Sequence, residues 1–131
     1  MAITQAMCTS FKVALLDGEM DFSSNTGQSY KIALYTSSAS LDAATAAYTT
    51  SNEVSGTGYT AGGNTLSIST APTTSGTTAY LSFDTTTWST ATITARGALI
   101  YQVGGSTPSV AVLDFGGDKT STAGDFQITF P

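Results

Sequence analysis

Trp88-Ser89-Thr90-Ala91-Thr92-Ile93-Thr94-Ala95-Arg96-Gly97-Ala98-Leu99-Ile100-Tyr101 is the stretch that decides the fold class. Trp88 to Arg96 and Gly97 to Tyr101 each carry the aromatic and β-branched residues that fit a pleated, half-buried surface, so both read as strand. Gly97 interrupts what would otherwise be one strand from Thr92 to Tyr101 and predicts a bulge, or a bend between sheets. Arg96 beside it is expected to face solvent or a carboxylate. Further strand signals lie on either side, at Leu66 to Ser69, Ala79 to Phe83, Val110 to Phe115 and Phe126 to Phe130. Turn clusters separate them at Pro72 to Gly76, Gly104 to Pro108 and Gly116 to Gly124. Close-set strands with no helix between them pair antiparallel. The expected fold is therefore all-β, a two-layer antiparallel β-sandwich (jelly-roll or Ig-like) with one short N-terminal α-helix.

That helix is predicted between Thr4 and Glu19, where Met7, Phe11, Ala14 and Leu15 recur at helical spacing. Thr4 is the expected N-cap and Gly18 the terminator, with Asp17, Glu19 and Asp21 in a solvated turn beyond it. Asn25-Thr26-Gly27 signals a turn. Tyr30, Ile32 and Leu34 then alternate with Lys31, Ala33 and Tyr35, as in a strand buried on one face. From Thr36 to Tyr48 the chain is rich in Ser, Thr and Ala, and Leu41 to Ala47 lacks the wide apolar face of a core helix, so an ordered excursion is expected. Ser51 to Asn64 reads as a structured loop, with Gly56, Gly58, Gly62 and Gly63 around Tyr59.

The 131 residues suit one domain, 1–131, with segment 1–20 packed on it. A hydrophobic fraction of 40%, with six Phe, six Tyr and one Trp, is enough to offset ordering entropy. The net charge of −5 argues against nucleic acid and anionic lipid as partners, which need clustered cations. No apolar run approaches the ~20 residues that span a bilayer, and the first residues carry no basic leader region, so neither membrane nor export is expected. Cys8, the single cysteine, reads as a small buried hydrophobe. About a third of the chain is Ser plus Thr. Such an uncharged surface repels copies of itself or a partner only weakly, a hint of an assembly protein.

Reactive chemistry is scarce. The chain has no His, which removes a serine triad, and no Gly-x-Ser-x-Gly elbow. Asp17 with Glu19, or Asp114 with Asp118, could form a carboxylate pair for glycoside hydrolysis, but the first follows a helix and the second flanks a turn where Asp bonds its own backbone. The same turn with Asp125 lacks the regular alternation of a calcium loop and contains Lys119. Gly56-Thr57-Gly58 and Gly104-Gly105 are not phosphate loops, since no Lys-Ser or Lys-Thr follows. Neither catalytic residue, cofactor nor metal is expected. Tyr48, Asn52, Glu53 and Tyr59 are the candidate partner-contact residues, because Tyr beside Gly, Ser and Asn is a composition used for adaptable contact. The competing reading of the two Tyr rings is that they tuck back and close the end of the sandwich.

The stretch from Leu34-Tyr35-Thr36-Ser37-Ser38-Ala39-Ser40-Leu41-Asp42-Ala43 through Tyr48 to Gly63 resembles a family of small virion structural proteins of tailed bacteriophages. Ala95-Arg96-Gly97-Ala98-Leu99-Ile100-Tyr101, Val112-Leu113-Asp114-Phe115-Gly116 and the ending from Asp125-Phe126 to Phe130-Pro131 are similar to it too. The resemblance implies a non-enzymatic virion protein assembled in the host cytoplasm and leaves its place in the particle open. An acidic, sparsely charged sandwich fits a capsid cement or decoration protein, whose partners would be the major capsid protein and/or copies of itself as a homo-oligomer. The alternative is a tail or fibre module recognising a host-surface glycan, presenting Tyr48, Asn52, Glu53 and Tyr59 in one patch. A carboxylate-only enzyme acting on host polymer is the third reading.

Overall fold

The computed structural model describes residues 2–23 and 27–131. Along the chain run β1 (Ala6–Met7), α1 (Thr9–Leu16), β2 (Tyr30–Tyr35), β3 (Asn64–Leu66), β4 (Ile68–Ser75), β5 (Thr78–Phe83), β6 (Thr86–Gln102) and β7 (Ser109–Ile128). Five strands form one sheet in the order β1-β7-β6-β2-β3, and β4 pairs with β5 as a second sheet. Every strand pair is antiparallel. The fold is an all-β sandwich of two antiparallel layers with a single short helix.

β6 and β7 are its spine. Gly97 does not divide β6, which continues through it, but the pairing with β7 slips there: Ala95 faces Lys119 while Gly97 faces Asp114. Residues 115–118 therefore bulge out of β7, so the Gly- and Asp-rich segment expected to reverse the chain instead kinks one continuous strand. Gly116, at φ +79, takes the left-handed conformation this needs. Three smaller slips lie along the same ladder: at Thr90 (φ +50) in β6, at Ala123 (φ +48) in β7, and between Ile100 and Tyr101. Gly97 also allows close approach, since a Cβ there would lie 2.5 Å from the Leu113 carbonyl oxygen and 2.9 Å from Ile3. The turn expected over Pro72 to Gly76 is narrower than predicted. Pro72 sits within β4, at the pairing irregularity between Thr70 and Thr73, and the chain reverses only at Gly76-Thr77.

The helix is shorter than its periodicity suggested. Thr4 caps nothing: its N–H donates to the Leu41 carbonyl (2.8 Å), and Ala6 and Met7 pair with Val112 and Ala111. Strand pairing thus claims the first turn and a half of the expected helix, and Cys8 becomes an N-cap without a side-chain bond. The C-terminus is as expected. Gly18 (φ +72) donates to Leu15 O at 3.2 Å and Glu19 to Ala14 O at 2.9 Å, a Schellman closure. The turn predicted at Asn25-Thr26-Gly27 falls, for Asn25 and Thr26, outside the described residues.

β2 is covered on both faces, against the one wet face expected of it, with Ala33 and Tyr35 as buried as Ile32 and Leu34. The reason is the 36–63 excursion, which has no helix. It lies beside β2 as a substitute strand: Val54 N–H donates to Leu34 O (2.9 Å) and the Tyr35 hydroxyl to Thr49 O (2.6 Å). The buried apolar residues form one cluster. Phe22 stacks on Tyr30 at 4.2 Å and meets Phe11 edge-on at 5.9 Å, so an aromatic chain links the helix to β2. Cys8 is fully buried, and burial pushes its thiol above the ordinary range despite a hydrogen bond with Ser109.

Candidate functional site

Tyr48, Asn52, Glu53 and Tyr59 come together at one end of the sandwich. Asn52 is exposed and left-handed (φ +61), and its carbonyl accepts from the Thr36 N–H (3.0 Å) and hydroxyl (3.2 Å), so the next residue turns inward. Glu53 there accepts three hydrogen bonds: from the Tyr48 hydroxyl at 2.7 Å, the Tyr59 hydroxyl at 2.5 Å and the Gly62 N–H at 2.8 Å. The Tyr59 oxygen also accepts the Leu34 N–H at 3.0 Å, completing the edge of β2 where β3 has ended. Tyr48 stacks on Tyr101 at 4.6 Å, and the Tyr101 hydroxyl donates to Gly62 O at 2.7 Å.

Burial holds the Tyr48 and Tyr59 phenols far above their usual range, and the Glu53 carboxylate adds to this, because it bonds the neutral phenol and would repel a phenolate. Tyr35 and Tyr101 shift the same way, first through burial and then through Glu53. The phenols stay protonated and the carboxylate is spent on internal donors. The cluster is thus a clamp that fastens loop 48–63 onto β2 and β6, with Asn52 its one exposed member.

The other carboxylates are similarly occupied or isolated. Asp114 lies 3.6 Å from Arg96 Nε and accepts from Gly116 N–H at 2.9 Å, the carboxylate partner and self-bonded turn expected of them. Asp17 and Glu19 are exposed past the helix end. Among the described residues no three of His, Cys, Asp and Glu stand close enough to hold a metal ion.

Two features escaped the sequence reading. The first is an arm: residues 71–80, the outer parts of β4 and β5 with their turn, are all exposed. No charged residue occurs between Val54 and Phe83. The second is an apolar groove of about 960 Å³ between this arm and α1. Phe11 and Leu15 line one wall, Tyr80 and Leu81 the other, and Val110 and Leu113 contribute to the floor, with Asp21 its one carboxylate. The signal for it was Val13-Ala14-Leu15-Leu16, which makes an eight-residue helix apolar on more than one side.

Set against family models, curated proteins and solved structures, the chain matches none.

Proposed function

We propose that the chain is a non-enzymatic structural protein of a tailed-bacteriophage virion, a capsid cement or decoration protein that binds and stabilises the major capsid shell. The observation that carries this reading is the β4–β5 arm. A two-stranded ribbon is marginal in water, and it gains stability by adding to another surface. Ten consecutive exposed residues without a charge, flanked by open strand edges, suit strand addition to a neighbouring subunit. β7 offers a second such edge, because β1 covers it only at Ala111 and Val112. Repeated over many identical sites, modest contacts per copy add up across a shell. The resemblance of Leu34 to Gly63 to virion proteins supports the same reading.

A glycan-binding tail module would need the polar atoms of Tyr48, Glu53 and Tyr59 free for sugar hydroxyls, and these are engaged with one another. Copy number in purified virions, by quantitative gel densitometry, tests the proposal. Hundreds of copies per particle are expected; a few to tens would place the protein in the tail and remove the cement reading. Thr74→Lys with Ala79→Lys, which charges the arm, should abolish incorporation while the chain still folds.

A further inference from the structure

We propose that the curled distal part of β7 forms a saccharide-binding pocket that takes one neutral pyranose ring. This goes beyond a place in the virion and does not depend on it, since the β4–β5 arm contributes no residue to the pocket. Every residue lining this concavity of about 430 Å³ lies between Phe115 and Ile128 of the one strand. Phe126 lies eleven residues beyond Phe115, a distance of roughly 35 Å along a straight strand. Their ring centroids are instead 6.3 Å apart, a gap that two phenylalanine side chains could not close unless the backbone curved. The bulge at 115–118 and the left-handed Gly116 and Ala123 therefore curl β7 around a hollow. Its volume falls in the range of small-molecule sites, ~300–1,000 Å³.

The hollow combines aromatic rings with polar tips that have nothing to hold. Phe126 packs edge-on against the buried Trp88 at 6.1 Å, and the half-buried Phe115 lies beside it. Gln127 Nε2 donates to Thr87 Oγ1 at 3.1 Å, which fixes the side chain and leaves its carbonyl oxygen free. Lys119 and Asp125 have no hydrogen-bond or ion-pair partner among the described residues and form no pair with each other. That combination selects the ligand. A pyranose has an apolar C–H face that packs on an aromatic ring, and a belt of hydroxyls that can donate to Asp125 and Gln127 and accept from Lys119. A phosphorylated ligand would be opposed by Asp125 and by the net charge of −5. A purely apolar one would desolvate the rim ammonium and carboxylate without pairing them. The sugar contacts that Tyr48, Glu53 and Tyr59 cannot make, being bonded to one another, are thus available at a different place.

Trp88 is the chain's one tryptophan and touches Phe126, so its fluorescence reports on the pocket. Titration of the full chain with the methyl glycosides of glucose, galactose, mannose and N-acetylglucosamine, up to ~50 mM, should give a saturable change with at least one of them, at a Kd of about 1 mM. Asp125→Ala and Lys119→Ala remove side chains that hold nothing else, so each should weaken that binding about tenfold with an unchanged thermal melt, while Glu19→Ala leaves it as it is. Amide shifts on binding should concentrate in residues 115–128. Failure of all these glycosides to bind overturns the inference, as does binding that survives both substitutions, or amide shifts centred on residues 48–59. Binding of free phenylalanine in their place would make the pocket an amino-acid site and overturn it as well. Virion copy number is measured separately, so an empty pocket does not carry the cement reading with it.

Discussion

Glu53 joins two phenols and the Gly62 backbone with only two oxygen atoms. Its removal leaves the Tyr48 and Tyr59 hydroxyls and the Gly62 N–H without their acceptor, and stranded buried donors are costlier than the bonds they made. Glu53→Ala should therefore lower stability by about 3 kcal/mol in urea unfolding, and Glu53→Gln by less, since an amide oxygen can still accept. A near-neutral Glu53→Ala would mean that the loop holds to β2 without the clamp. Gly97→Ala acts by a different route. The methyl would meet the Leu113 carbonyl, which pairing holds in place, and the branched end of Ile3. A loss of about 1–3 kcal/mol is expected by the same measurement, with the amide signals of residues 2–7 the most displaced.

At the level of elements, the arm and the spine should differ in dynamics. Hydrogen exchange on the isolated chain should find the amides of residues 71–80 among the fastest and those of Leu99 to Tyr101 among the slowest, because the former pair only within an exposed ribbon. In an assembled particle the arm should become protected; unchanged exchange there would show that it touches nothing. The same contrast marks what the sequence could disclose. Strand content, the antiparallel class, the irregularity at Gly97 and the Gly18 stop all rest on local chemistry, and were legible. The first turn and a half of the predicted helix was lost because Ala6 and Met7 find partners more than a hundred residues away. Gly116 to Gly124 has the composition of a reversal, but composition does not say whether a left-handed residue turns a chain or kinks it. The clustering of Tyr48, Asn52, Glu53 and Tyr59 could be read from spacing. That Glu53 would face inward to the two phenols depends on the left-handed Asn52, which no local pattern declares.

Across the whole molecule, five phenols are displaced in one direction. Burial pushes Tyr30 up to about 12, and Tyr35, Tyr48, Tyr59 and Tyr101 also rise. An unfolded chain releases these protons near pH 10, while the folded one retains them. Below that pH both states are protonated and the groups contribute no pH dependence; above it the unfolded state binds fewer protons and is favoured. Stability should therefore fall steeply from about pH 10 upward, with phenolate absorbance rising together with loss of the β signal. Buried tyrosines that ionise well before unfolding would contradict the closed core described here.

The pairing of β1 with the start of β7 also imposes an order of events during synthesis. Ala6 and Met7 leave the ribosome about a hundred residues ahead of their partners at Val112 and Ala111. Until then Ala6 and Met7 have no strand to join, and α1 has no floor beneath Phe11. The β6–β7 ribbon closes over a short connection, so its first rungs and the docking of β1 become possible together, before the rest of β7 has paired.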